Sequence, residues 1–451
     1  MAKKIHIILL LIGAGGLLCS APGQTPSGKA VSVIKKAVAE GLVAYKLTEP
    51  SEIIALLGKP QGEKERPDGG MVILEMTYPG LSAVFGKFKA EDSPFVLYEI
   101  SAGREAFDIG RDRPVVLRKT SDLKKMDRFS GLEGVSLARL DLRAEGAVLN
   151  PLSFDTRTLW PAADKLPEGF DPAALIKTHL GPGLGVREIH SRGIDGSGVG
   201  VGIIDQPLLL GHKEYASRIL RYDATGLGGM PPQMHGSPVA SILVGEAVGV
   251  APRAALTYYA VPMWNPDNLP YIEALRKIFN LNKALPEGER IRVVSISTGI
   301  FARNPHFAEW QEALAEARSQ GILVVSCDRA ELKYGILACP PGRDPDDMKS
   351  YQPSYYTMPD DVLRVPGVGR TLASYRGEDV YMLDRQGGVS WGAPYIAGLA
   401  ALAFQVCPDI APKRIIQLLV ETALRTNAGP IANPAGFIEA VKKEKTHSPG
   451  M

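Results

Sequence analysis

The sequence predicts an α/β protein: a mainly parallel β-sheet with helices on both faces, preceded by a smaller N-terminal α+β domain. Three observations lead there. After about residue 170, short apolar runs alternate with helical patterns, and such β–α repetition implies parallel strands covered by their crossover helices. The runs are apolar throughout, as strands buried on both faces are. Residues 25–165 have another texture, with alternating segments and turn clusters. The chain has 451 residues, room for two or three domains.

In chain order, Lys3 and Lys4 precede an apolar run from Ile5 to about Leu18, followed by Ser20, Ala21 and Gly23. This is the pattern of an export signal over residues 1–23, and the run is short for a membrane span. A retained anchor and a lipidated Cys19 are the other readings; Leu18 is bulky for the second. Cleavage near Gly23 predicts a secreted or periplasmic (cell-envelope) protein, with no membrane attachment in its mature form.

Residues 24–165 are expected to fold as an α+β domain. Val31–Ala44 has helical spacing, and Met71–Tyr78 and Phe95–Ile100 alternate as strands do. Pro67, Asp68, Gly69 and Gly70 form a turn cluster. Leucines recur between Gly131 and Leu142, but one such unit does not make a solenoid. A Pro-rich connector follows from about Asn150 to Phe170. Residues 166–441 carry the strand candidates Val199–Ile204, Ala254–Val261, Ile291–Ser297 and Gly321–Cys327. Between the last two, Phe307, Trp310, Leu314 and Ala317 mark an amphipathic helix, with Gly321 as its stop signal. Residues 442–451 read as a frayed polar tail.

With 51 basic and 49 acidic side chains, the net charge of +2 provides no broad field for nucleic acid. Once Cys19 leaves with the signal, Cys327, Cys339 and Cys407 remain. An exported chain has room for one disulfide among them, Cys327–Cys339 being the favoured pairing, but this is no disulfide scaffold and the sequence does not set the pairing.

Three residues suggest chemistry. Asp205 ends the first apolar strand, so its carboxylate faces the crevice at the sheet's carboxyl edge. His235 opens a helix whose Pro238 must lie in the first turn. Ser390 follows Gly387 and Gly388 and enters a nearly all-apolar helix, with Pro394 also placed in the first turn. There the hydroxyl is exposed and free backbone N–H groups face incoming negative charge. Taken singly, each has a plainer reading: a turn cap, a structural histidine, an N-cap serine. Taken together they satisfy a chemical need. A serine hydroxyl attacks only when a base takes its proton, and an imidazole base needs a carboxylate to hold its tautomer.

The segments Gly196-Ser-Gly-Val-Gly-Val-Gly-Ile-Ile-Asp205, His235-Gly-Ser-Pro-Val-Ala240 and Gly388-Val-Ser-Trp-Gly-Ala-Pro-Tyr-Ile-Ala-Gly398 resemble the aspartate, histidine and serine motifs of the subtilisin-like serine peptidases, the subtilases. Gly249-Val-Ala-Pro252 and Val294-Ser-Ile-Ser-Thr-Gly299 resemble two further segments of that family. The resemblance covers roughly residues 170–440. It implies a subtilisin-like fold and a serine endopeptidase acting on protein or peptide substrates. Ser390 would be the nucleophile, His235 the general base and then acid, and Asp205 the residue orienting the imidazole. Ser297, Thr298 and Gly299 would pair with the substrate backbone, and the Ser390 N–H would be one oxyanion donor. No cofactor is expected. Many subtilases hold structural calcium, for which the sequence locates no site. His212, Lys213 and Glu214 resemble a structural stretch of the family. Asp344, Asp346 and Asp347 read as a solvated loop rather than a calcium site or other metal site. The sequence sets no oligomeric state.

The chain departs from the family at Asp328. Subtilases usually place an asparagine there as the second oxyanion donor, whereas the related sedolisin peptidases use aspartate and work in acid. Val389, Trp391 and Tyr395 stand where Thr, Met and His are usual, and Trp391 is expected to narrow the site. The segment from about Gly369 to Gly387 is shorter than usual. Three functional readings follow: an active endopeptidase, a triad kept for a narrow job such as one processing cut, and a catalytically weak or silent binding protein on the same fold. Residues 24–165 stand where subtilases carry a pro-segment, and are read as a retained accessory domain or an inhibitory pro-region.

Overall fold

A computed structural model describes residues 28–68, 71–88, 94–103, 105–107, 109, 115–126, 131–286, 289–356, 359 and 361–447. The expected signal segment lies outside them. The chain divides into two units, residues 1–170 and 171–451.

The first unit opens with α1 (Gly28–Ala39) and α2 (Pro50–Leu57). The helix expected over Val31–Ala44 thus starts earlier and stops at Ala39, because Gly41 turns the chain with φ +71°. An antiparallel meander follows: β1 (Gly62–Asp68), β2 (Met71–Tyr78), β3 (Leu81–Phe88), β4 (Val96–Ala102) and β5 (Glu105–Ala106), neighbours in that order. One face of it buries Leu74, Phe85, Leu97 and Ile100 against Ile34 and Ile53 of the helices. The leucine-rich stretch corrects the one-unit expectation. Val116, Ser136 and Leu159 join as successive parallel bridges, about 20 residues apart, the period of a leucine-rich coil. Leu132, Leu137, Leu140 and Leu142 are buried inside these turns. The connector is therefore part of a short stack, concealed because leucines recur only around its middle rung at Ser136.

The second unit holds the parallel sheet. Its strands are β6 (Gly200–Asp205), β7 (Ile219–Asp223), β8 (Ala255–Ala260), β9 (Ile291–Ile296) and β10 (Leu323–Ser326), in the order β10-β9-β6-β8-β7, all parallel. The crossover helices include α3 (Gly236–Val244), α4 (Leu269–Ala284) and α5 (Phe307–Ser319). α4 and α5 bury Ile272, Leu275, Phe279, Trp310 and Leu314 on one face of the sheet. On the other face lie α3 and α6 (Val389–Val406), whose residues from Trp391 to Phe404 are all buried. α6 is long and apolar enough to cross a membrane, but it is the core helix of this unit. A second sheet adds β11 (Tyr334–Ala338) parallel to β12 (Leu363–Val368), and β13 (Arg370–Ala373) pairs antiparallel with β14 (Tyr381–Asp384). The final helix runs Pro434–His447, so residues 442–447 of the tail expected to fray continue it, and the rest lies outside the described residues.

Two further expectations change. Cys327, Cys339 and Cys407 are free thiols; Cys327 bonds to Tyr334, while the Cys339 thiol faces the carbonyls of Pro340 and Arg343. Pro394 lies inside α6 rather than in its first turn. It has no N–H to donate to the carbonyl four residues back, that of Ser390.

Candidate active site

β6 is the central strand, and the chain leaves it toward β7 and β8 on one side and later toward β9 and β10 on the other. Ligand sites of open parallel sheets form at the carboxyl ends of strands around such a reversal. Asp205 ends β6, Ser297 follows β9, and Cys327 and Asp328 follow β10.

Asp205 is fully buried and His235 is 3% exposed. The imidazole Nδ1 lies 2.7 Å from Asp205 Oδ1, and the same oxygen accepts the Gln206 N–H at 2.7 Å. Oδ2 has no hydrogen-bond partner among the described residues. A carboxylate at Nδ1 holds the proton there and leaves Nε2 to act as base. His235 is the N-cap of α3, and its N–H donates to the Gln206 side chain at 3.3 Å. The next residue must be glycine: a Cβ at 236 would sit 2.7 Å from the Tyr258 hydroxyl and 2.8 Å from the Gln206 carbonyl oxygen. Burial and the nearby Asp205 charge both push the Tyr258 and Tyr271 phenols up, so these remain neutral walls.

Ser390 is half-buried and is the second residue of α6, whose N-cap is Gly388. It is not itself the cap. No carbonyl inside the helix can accept its N–H, which leaves that group free for a developing oxyanion. Its hydroxyl donates to the Ser297 carbonyl at 3.1 Å. The following residue, Trp391, lies with its ring centroid 5.1 Å from that of His235, tilted by 30°. This ring contact brings the serine loop and the base together. Trp391 is 5% exposed, so its bulk goes into the core against the imidazole rather than across the opening.

The expected substrate segment is partly engaged. Ser297 is buried, Thr298 and Gly299 are half-buried, and the Thr298 carbonyl accepts the Cys327 N–H at 3.0 Å. Asp328 stands at the neighbouring strand end, with its Oδ1 accepting the Ser326 hydroxyl and, at 3.0 Å, the Ala330 N–H. Its side chain is thus folded onto its own loop. The Cys327 sulfur accepts the Tyr334 hydroxyl at 3.6 Å, and burial pushes its thiol up to about 12. It is an inert thiol, not a nucleophile.

Outside the site, His212 Nδ1 accepts the Glu214 N–H and Nε2 faces the Val380 carbonyl at 2.9 Å. Glu214 in turn accepts the Ala247 and Val248 N–H groups, which is a structural role. Asp346 accepts from the Gly185 N–H and Arg187, Asp344 from the Asp346 N–H, and Asp347 from the Lys349 N–H. Among the described residues no cluster of three metal-ligating side chains occurs.

Residues 196–328 match the model of the Subtilase family, Peptidase S8. A subtilisin-like protease, PopC of Myxococcus xanthus (strain DK1622), is 24% identical over 287 residues, 53% of this chain. The chain spans 58% of that relative's length. Similar solved structures include a subtilase cytotoxin SubAB structure (TM-score 0.46, 17% identical, 58% of this chain and 96% of that one). Another is the prenylagaramide maturation protease PagA (TM-score 0.43, 16% identical, 57% and 98%).

Proposed function

The α/β unit of this chain is a subtilase-family domain, and from that premise we propose that the protein is an exported serine endopeptidase working through Asp205, His235 and Ser390. The observation that carries the reading is the buried 2.7 Å Asp205–His235 pair, set beside the serine loop through the Trp391 ring contact.

Substrate binding first draws the Ser390 hydroxyl away from the Ser297 carbonyl. Ser390 Oγ then attacks the scissile carbonyl carbon as its proton passes to His235 Nε2, and Asp205 stabilises the resulting imidazolium. The oxyanion takes the Ser390 N–H. Collapse breaks the C–N bond, His235 protonates the leaving amine, and an ester remains on Ser390. Water, deprotonated by His235, hydrolyses that ester and restores the serine. Ser297, Thr298 and Gly299 hold the substrate backbone. Residues 24–165 are retained as an accessory domain, so the mature N-terminus lies near residue 24; one near 165–175 would instead make them a removed pro-region.

A second reading, a weak or silent binding protein, is favoured by Asp328, a carboxylate where an oxyanion donor is required. A fluorophosphonate probe separates the two. Labelling that Ser390→Ala abolishes supports the peptidase, and no labelling anywhere between pH 4 and 9 supports the silent protein.

A further inference from the structure

Asp384 has no part in the mechanism above, yet it contacts both sides of the nucleophile. It ends β14 and is 7% exposed. Its Oδ1 accepts the backbone N–H groups of Gln386 at 2.9 Å and Gly387 at 3.0 Å, four and three residues before Ser390. Its Oδ2 accepts the indole N–H of Trp391, one residue after Ser390. The carbonyls of the same loop are also held: the Tyr355 hydroxyl donates to that of Gln386 at 2.8 Å, and Tyr356 to that of Gly387 at 3.4 Å. Gly387 has φ +62°, and a Cβ there would meet the Gly367 carbonyl oxygen at 2.0 Å, so the loop has one narrow path.

A turn alone needs only Oδ1, since an aspartate bonded to N–H groups two and three residues ahead closes an Asx-type turn. The Oδ2 bond to the indole goes beyond that need. It fixes the ring that lies on the His235 imidazole. The imidazole is thereby held in its plane by Asp205 and across its face by Trp391.

We propose that Asp384 is a positioning residue that couples the nucleophile loop to the base, with Trp391 as the connecting element. The inference rests on the peptidase reading of Ser390 and His235. Asp384 acts through Gln386, Gly387 and Trp391, and touches no reacting atom.

The test uses the full-length protein and three variants. In Asp384→Asn the amide oxygen keeps both loop contacts, while its NH₂ opposes the indole N–H, donor against donor. kcat falls about tenfold or more with KM unchanged, because small misplacements of reacting groups cost rate rather than binding. Trp391→Phe keeps an aromatic ring and removes the N–H, and its loss is smaller. The double variant has no opposed donors, so it regains about fivefold or more over Asp384→Asn, a non-additivity that coupled neighbours show. The ¹⁵N indole resonance of Trp391, identified by its loss in Trp391→Phe, moves in Asp384→Asn. A kcat in Asp384→Asn within roughly twofold of wild type, or additive losses in the double variant, overturns the proposal. If a fluorophosphonate fails to label the wild type at every pH, the peptidase reading has failed separately. The indole and His235 ring resonances then decide the coupling: Asp384→Asn shifts both if it holds, and an unshifted pair overturns it.

Discussion

The proposed base end of the site and its proposed oxyanion corner lie at the carboxyl ends of β6 and β10, with β9 between them, and they are built differently. At the base end, a buried carboxylate faces an imidazole at 2.7 Å and an indole covers the ring. At the oxyanion corner, the carboxylate of Asp328 bonds to Ser326 and Ala330 of its own loop. On the proposed mechanism the same functional group would do opposite things in the two places. A carboxylate facing an N–H stabilises the cation that forms on the imidazole, whereas one facing an oxyanion offers no proton and repels it. On the proposed mechanism the base is held ready while the Ser390 hydroxyl must first leave the Ser297 carbonyl, and charge stabilisation would rest on the Ser390 N–H.

The largest test of that contrast is Asp205→Asn. Losing the carboxylate turns the imidazole to the wrong tautomer, and kcat on a peptide substrate drops by roughly 10⁴-fold; a loss of less than tenfold would break the comparison at its stronger end. Next is Asp328→Asn. The amide oxygen keeps the Ser326 and Ala330 contacts and the NH₂ adds a donor, so kcat/KM at pH 7 rises by on the order of 10²-fold, the scale of one oxyanion donor. A fall at every pH would show instead that the carboxylate is needed.

Helix packing sets both halves at once, because α6 positions Ser390 for each. A Cβ on Gly392 would lie 2.5 Å from the Tyr334 ring, and the Tyr334 hydroxyl contacts the Val389 carbonyl and the Cys327 thiol. Gly392→Ala costs about 1–3 kcal/mol by overpacking, read as a lower denaturation midpoint at constant slope.

The smallest effect is one of pH, and it separates stability from chemistry. Burial holds His179, His190 and His212 below the ordinary histidine range. The unfolded chain then binds more protons than the folded one as pH falls below about 6.5, so stability is full above that value and declines through the acid range. Denaturation midpoints at pH 7.5 and 5.5 check the sign: the acid midpoint is the lower.

Much of the molecule was legible in the residues. The strand at Met71–Tyr78 and the helix at Phe307–Ser319 match their periodic patterns residue for residue, because their core-facing side chains recur at the period of the backbone. The three candidate catalytic residues stood out since each sits at a strand end or helix start marked by Gly or Pro. Asp384 was missed. Its only local signal was an aspartate shortly before Gly387 and Gly388, which reads as an ordinary turn. The rungs at Val116, Ser136 and Leu159 were missed because bridges between distant turns leave little local pattern.

By itself the sequence determined the β–α alternation, the parallel sheet with its two covered faces, and which ends of which elements carry Asp205, His235 and Ser390. These follow from periodicity and backbone punctuation, which act over a few residues. Only the tertiary structure decided that the Ser390 hydroxyl rests on the Ser297 carbonyl, that Trp391 lies against the imidazole, that Asp384 grips both flanks of Ser390, and that the cysteines stay apart. Those outcomes depend on distances of a few ångströms between residues far apart in the chain, and packing sets them where local propensity has no reach.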